Sequence, residues 1–168
     1  MAKAYSLWIT PTDEAESKLN SIVIELSKNY HGPVFEPHMT LLGPIFEDKG
    51  EVVRKAKLLA RQTAPFQLFL GEIDFSTTYF QCVFVRIQTN IPLLNARAKA
   101  QQMFDDKTFF MPHISLYYGN DNIEQREKIV KSIAKLAQLS FVASKIAITP
   151  ATEDPGEWEH IAEIPFED

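Results

Sequence analysis

The feature that most constrains this chain is a heptapeptide that occurs twice. Phe35-Glu36-Pro37-His38-Met39-Thr40-Leu41 and Phe110-Met111-Pro112-His113-Ile114-Ser115-Leu116 share the pattern F-x-P-H-x-[TS]-L. The chain has 4 histidines, and two of them hold the same place in the two copies. A lone histidine on a strand face is most often a hydrogen-bonded structural residue; a matched pair in matched contexts demands a fold that uses one unit twice. In extended chain, side chains alternate between faces. His38 and Thr40 then point one way and Met39 and Leu41 the other; His113 and Ser115 oppose Ile114 and Leu116 in the same manner. Pro37 and Pro112 have no N–H for a ladder, so each should start its strand or sit where pairing is interrupted.

The rest of the sequence supports the duplication. Period-2 and period-3.6 segments alternate between Pro and Gly punctuation. Strands are expected at Tyr5 to Thr10, Phe35 to Leu42, Phe66 to Phe75, Tyr79 to Gln88, Phe109 to Tyr118, Phe141 to Ile148 and Trp158 to Pro165. Helices are expected from Thr10-Pro11 to Asn29–Gly32 (Ala15, Leu19, Ile22 and Leu26 inward) and over Asp48 to Gln62 (Val52, Ala56, Leu59 and Ala60 inward). Two more cover Ile91 to Phe104 and Asn122 to Leu139, the last with Ile123, Ile129, Val130, Ile133 and Leu136 inward. Ser76-Thr77-Thr78 reads as a hairpin turn, and Thr152 to Gly156 as a polar turn. The order is β-α-β-α-β, then β-α-β-α-β-β. Helices interspersed with hairpins favour an α+β fold with antiparallel sheet, and no glycine-rich phosphate loop follows a strand. The 168 residues are expected to form one domain, 1–168, made of two intertwined lobes.

Composition removes several function classes. Seventeen Lys+Arg against 22 Asp+Glu, a net charge of −5, does not furnish an extended grip on nucleic acid; the densest basic stretch, Arg54 to Arg61, reads as the wet face of a helix. No apolar run approaches the length of a membrane span, and the N-terminus lacks the form of a signal peptide, so no membrane partner is expected. A single cysteine, Cys82, cannot form an internal disulfide, and the expected location is cytoplasmic. It should pack as a small hydrophobe. His31, in a turn, and His160, on the late strand, offer no metal-ligand spacing with Cys82, so a zinc site is a poor rival and no cofactor is called for.

If an approximate two-fold relates the halves, the two imidazole–hydroxyl pairs face each other across a cleft. That suits a phosphodiester. A neutral imidazole can take a proton from an attacking water while the opposite imidazolium protonates the leaving oxygen. Thr40 and Ser115 can donate hydrogen bonds to the non-bridging oxygens as charge builds on them.

These motifs resemble those of the 2H phosphoesterase superfamily. With Tyr5-Ser6-Leu7-Trp8, Phe80 to Phe84 and Tyr118, the likeness is greatest to the plant and fungal type of cyclic phosphodiesterase and spans almost the whole chain. The resemblance implies a bilobal α+β fold of two antiparallel sheets with outer helices around a central cleft, and metal-independent opening of cyclic phosphates. The implied reactions convert ADP-ribose 1″,2″-cyclic phosphate to the 1″-phosphate and nucleoside 2′,3′-cyclic phosphates to 2′-phosphates. His38 and His113 become the acid/base pair, with His113 as base for a 2′-phosphate product; Thr40 and Ser115 become the phosphate-binding donors. Tyr118 matches a tyrosine near the phosphate in relatives, yet its parity is opposite to His113 and Ser115. Either a bulge or the strand end turns it, or Tyr117 faces the cleft. Trp8 and Phe80 are candidates to stack on a nucleobase or to pack in the core. The expected partner is a small cyclic-phosphate nucleotide, met by a monomer. The alternatives are an RNA-end 2′,3′-cyclic phosphodiesterase like the 2′-5′ RNA ligases, which would want a basic rim, and a non-catalytic nucleotide-binding module.

Overall fold

A computed structural model describes residues 3–167; Met1, Ala2 and Asp168, which the single-domain expectation includes, lie outside the described residues. The chain runs β1 (Tyr5–Ile9), α1 (Asp13–Tyr30), β2 (Met39–Ile45), α2 (Lys49–Arg61), β3 (Phe66–Phe75), β4 (Val83–Ile87) and α3 (Ile91–Phe104). It continues with β5 (His113–Tyr117), α4 (Ile123–Ser132), β6 (Ser140–Ala143), β7 (Lys145–Pro150), a short 3-10 turn at Pro155–Glu157, and β8 (Ala162–Pro165). All strand pairs are antiparallel, in the order β6-β3-β4-β5-β2-β1-β7-β8. The two expected sheets are thus halves of one, β6-β3-β4-β5 and β2-β1-β7-β8, joined where Met39 of β2 meets Ile114 of β5.

The repeat is visible in the topology. The units β1-α1-β2 and β4-α3-β5 each place a motif strand beside the strand that precedes its helix. The helices cross over: α1 packs on β5 of the other half, and α3 on β2. Beneath them lies the core, which holds Leu7, Ile9, Met39, Leu41, Ile114 and Leu116, all fully buried. Helices therefore cover one face of the curled sheet and leave the other for the alternate residues of the same strands. No helix among the described residues is long and apolar enough to cross a membrane.

Several expected boundaries shift, each for a local reason. The strands of the two motifs begin at Met39 and His113, directly behind His38 and Pro112, where the ladder donors lost at proline resume. α1 opens at Asp13 rather than at Pro11, and its C-terminal left-handed residue is His31, φ 64°. Gly32 is needed for a close approach instead: a β-carbon there would stand 2.5 Å from the Tyr117 ring and 2.8 Å from the Tyr118 carbonyl. β4 starts only at Val83, because residues 76–82 form a longer loop. α4 stops at Ser132, whose hydroxyl donates to the Ile129 carbonyl, and Ile133 is extended. Leu136 and Leu139 reach the core from the following turns, while Ile123 is exposed. The expected strand 141–148 breaks at Ser144, where the chain leaves β3 for β1 at the far side of the sheet. Trp158 and His160 sit in a loop, not a strand.

Candidate active site

The face turned away from the helices carries a cavity of about 430 Å³. His38, Thr40, His113, Ser115, Tyr118, Trp8 and Phe80 all line it. Pairing explains the convergence. Trp8 lies opposite Thr40 in the β1–β2 ladder, and Phe84 opposite Ser115 in the β4–β5 ladder, so the two motif strands present their His–hydroxyl edges from the middle of the sheet. Tyr118 is turned by both devices. β5 ends at Tyr117, and the β4–β5 register slips between Val83 and Phe84, opposite Tyr117 and Ser115. Tyr117 consequently joins the core, its hydroxyl donating to the Asp121 carboxylate at 2.9 Å, and Tyr118 faces the cavity.

Both imidazoles are held the same way. His38 Nδ1 lies 2.7 Å from the Glu36 carbonyl, and His113 Nδ1 2.7 Å from the Met111 carbonyl. A carbonyl only accepts, so each Nδ1 carries the proton and each Nε2 is left as the nitrogen free to exchange one. Their surroundings differ. His38 is 9% exposed and lies flat against Trp8, ring centroids 3.5 Å apart and 8° from parallel. Phe84 meets His113 edge-on at 5.1 Å. Burial pushes the His38 pKa down to about 4, helped by the charges of His113 and His160 and opposed by the Glu36 hydrogen bond. Burial likewise lowers that of His113, against its Met111 hydrogen bond.

Depressed imidazoles make a stability prediction. The unfolded chain binds a proton at His38 below pH 6.5, whereas the folded chain resists it until about pH 4. Stability is full above 6.5 and falls with pH through that window. The His38 share is about 3 kcal/mol. Urea unfolding of wild type and His38→Asn at pH 7 and pH 4.5 should show the variant losing less stability over the interval; equal losses would refute the shift.

The hydroxyls differ too. Thr40 is exposed, while Ser115 is buried and its hydroxyl donates to the Phe80 carbonyl at 3.1 Å. Sequence reasoning missed Ser6, Gln81, Thr152, Glu153 and Trp158, which also line the wall. Ser6 was accessible by parity, being two residues before Trp8. Trp158 was not, because it arrives from a distant loop, anchored by its Nε1–H donating to the Thr152 carbonyl at 2.9 Å. It meets Trp8, His38 and Tyr118 edge-on at 5.5, 5.6 and 5.9 Å. Among the described residues no Lys or Arg lines the cavity, and Glu153 is its one carboxylate. No cluster of three or more His, Cys, Asp or Glu among them is arranged to hold a metal ion.

Comparison with known proteins agrees with this architecture. The cyclic phosphodiesterase of Arabidopsis thaliana is 27% identical over 167 residues, covering 94% of this chain and 92% of that protein. The crystal structure of Escherichia coli LigT in apo form superimposes with a TM-score of 0.67 at 13% identity, over 99% of this chain and 98% of that one. LigT complexed with 3′-AMP gives 0.66 at 14% identity over 100% of both chains. The family model described as the 2′-5′ RNA ligase superfamily matches residues 11–154. With most of its length matched, the chain belongs to the 2′-5′ RNA ligase superfamily of 2H phosphoesterases.

Proposed function

We propose that the protein is a metal-independent cyclic phosphodiesterase. It opens nucleoside 2′,3′-cyclic phosphates to 2′-phosphates and ADP-ribose 1″,2″-cyclic phosphate to ADP-ribose 1″-phosphate. The observation that carries the reading is the pair of imidazoles, each fixed as its Nδ1–H tautomer by a backbone carbonyl, on the wall of one cavity. The name of the Arabidopsis relative and the nucleotides in the LigT structures (3′-AMP and ATP) point the same way.

In the proposed reaction the cyclic diester sits between the histidines. His113 Nε2 takes a proton from water, the water oxygen bonds to phosphorus, and the P–O bond to the 3′ oxygen breaks. That oxygen takes its proton from His38, which becomes charged once the anionic diester lies against it and offsets the burial that keeps it neutral in the free protein. Thr40 donates to one non-bridging oxygen, and Ser115 to the other once its hydroxyl turns from the Phe80 carbonyl to the phosphate. Tyr118 stands beside Ser115, and the ring of Phe80 with that of Trp158 gives the base an aromatic wall, while Trp8 already has His38 on one face. An RNA-end enzyme would be expected to offer cations to the strand; this cavity wall has none among the described residues. Equal or faster turnover of an oligonucleotide ending in a 2′,3′-cyclic phosphate than of the mononucleotide would favour that alternative.

The histidine pKa directions set the pH dependence. The form with one proton on the pair is most abundant between the two free-protein pKa values, both of which lie below 6.5. kcat/KM for adenosine 2′,3′-cyclic phosphate should therefore follow a bell with its maximum on the acid side of pH 6.5, unchanged by EDTA. A maximum above pH 7, or loss of activity with chelator that added metal restores, would overturn the mechanism.

A further inference from the structure

The two motifs are equivalent in sequence pattern but not in how their histidines are held. At the position two before the histidine, one copy has Met111 and the other Glu36. Both supply the backbone carbonyl that accepts from Nδ1. Only Glu36 carries a side chain that can be tied down, and it is tied: Glu36 Oε2 lies 2.7 Å from His160 Nε2. His160 in turn reaches Glu163 of β8 with Nδ1 at 2.8 Å, and Lys145 of β7 closes the chain with a 3.1 Å bridge to Glu163. His160 and Lys145 together hold the Glu163 carboxyl below the usual carboxylate range.

This cluster sits where it is needed. Residues 31–38 belong to no helix or strand, so no ladder fixes the direction of the Glu36 carbonyl. The His160 ring also stands edge-on to Trp8, 6.1 Å away at 90°, and Trp8 is the plate on which His38 lies. One side chain thus braces both things that orient His38, the carbonyl at its Nδ1 and the indole beneath its face. Among the described residues, no hydrogen-bonded side chain ties down the Met111 position in this way.

We propose that His160 is a positioning residue for His38, acting through Glu36 and Trp8. It fixes the Nδ1–H tautomer and ring direction of His38 without touching the substrate. The proposal rests on the cyclic phosphodiesterase reading for its kinetic consequence, but its structural consequence is independent of that reading. An imidazole whose anchoring carbonyl drifts loses the fixed presentation of Nε2, and small misplacements of a reacting group are costly to rate.

The test uses the full chain labelled with 15N, whose two-bond 1H–15N spectra report each histidine's tautomer. In the wild type His38 should be wholly Nδ1–H. In His160→Ala it should become a mixture of tautomers while His113 is unaffected, with kcat on adenosine 2′,3′-cyclic phosphate reduced about tenfold and KM within about twofold. Glu36→Ala, at an exposed side chain, keeps the carbonyl and should reproduce both effects, which covers the case of His160→Ala failing to fold. His160→Gln keeps a donor toward Glu36 and should recover most of the rate. Folded His160→Ala or Glu36→Ala with a pure Nδ1–H His38 and wild-type kcat would overturn the proposal. Should the wild type turn over no cyclic phosphate while the His38 tautomer still shifts, the tether stands and the assigned activity falls.

Discussion

His38→Ala and His113→Ala should each lower kcat for cyclic phosphate opening by about 10³-fold or more while leaving the fold intact. General acid–base catalysis by a positioned side chain supplies about 10²–10⁴-fold, and here each imidazole is asked for one half of a coupled proton transfer. The halves are not separable: without a base the water attacks poorly, and without an acid the 3′ oxygen leaves as an alkoxide. The double variant should therefore be little worse than either single one, as expected of groups that act as a unit. Folding should survive, because neither ring belongs to the hydrophobic core and each makes a single internal hydrogen bond, to a backbone carbonyl. Removing either ring also deletes a depressed titration. The bell of kcat/KM should then become flat or one-sided in whatever residual rate remains. A properly folded variant within tenfold of wild-type turnover would remove that histidine from the chemistry.

What was legible in the sequence was whatever depends on neighbours along the chain. Asn90, whose side chain accepts from the Leu93 N–H, and Pro92 behind it mark the start of α3 where it is found, and β3 runs from Phe66 to Phe75 as its pattern requires. The inward residues of α1 and α2 are those at helical spacing. Alternation along the two motif strands sufficed to bring His38, Thr40, His113 and Ser115 to one side. What depends on partners far away was silent. Residues 141–148 read as one extended run although the chain changes neighbours at Ser144. The helical spacing of Ile133 and Leu136 reflects burial against β3 from a turn, not a continuing helix. The juncture at Met39 and Ile114, which makes one sheet of two halves, leaves no mark in either strand. Nor does the tether at His160, whose partner Glu36 is 124 residues away.

The same blindness hid Arg126, which reads as the solvent side of a helix and is 4% exposed. Its guanidinium donates to the carbonyls of Ser76 and Thr78, both at 2.7 Å, of Asp121 at 2.8 Å and of Gly119 at 3.3 Å. These carbonyls belong to the two loops that close one end of the cleft, so a single buried cation substitutes for the ladder they lack. Arg126→Met keeps much of the stem but strips every donor, leaving four acceptors to find water or go unpaired. The expected loss is about 3 kcal/mol, at the upper end for a single side chain because several carbonyls are orphaned together. Activity should suffer beyond the stability loss. The loop at 76–82 carries Phe80, whose carbonyl holds the Ser115 hydroxyl, and Tyr118 adjoins Gly119, so loosening both segments displaces Ser115 and Tyr118 together. Denaturant unfolding should show a lower midpoint with an unchanged slope, and kcat measured well below the melting temperature should drop about tenfold. Lys would be a poor replacement, since its compact ammonium cannot span four carbonyls lying in a fan. A stability within about 0.5 kcal/mol of wild type would mean that the loops hold themselves, and that Arg126 is not what closes that end of the cleft.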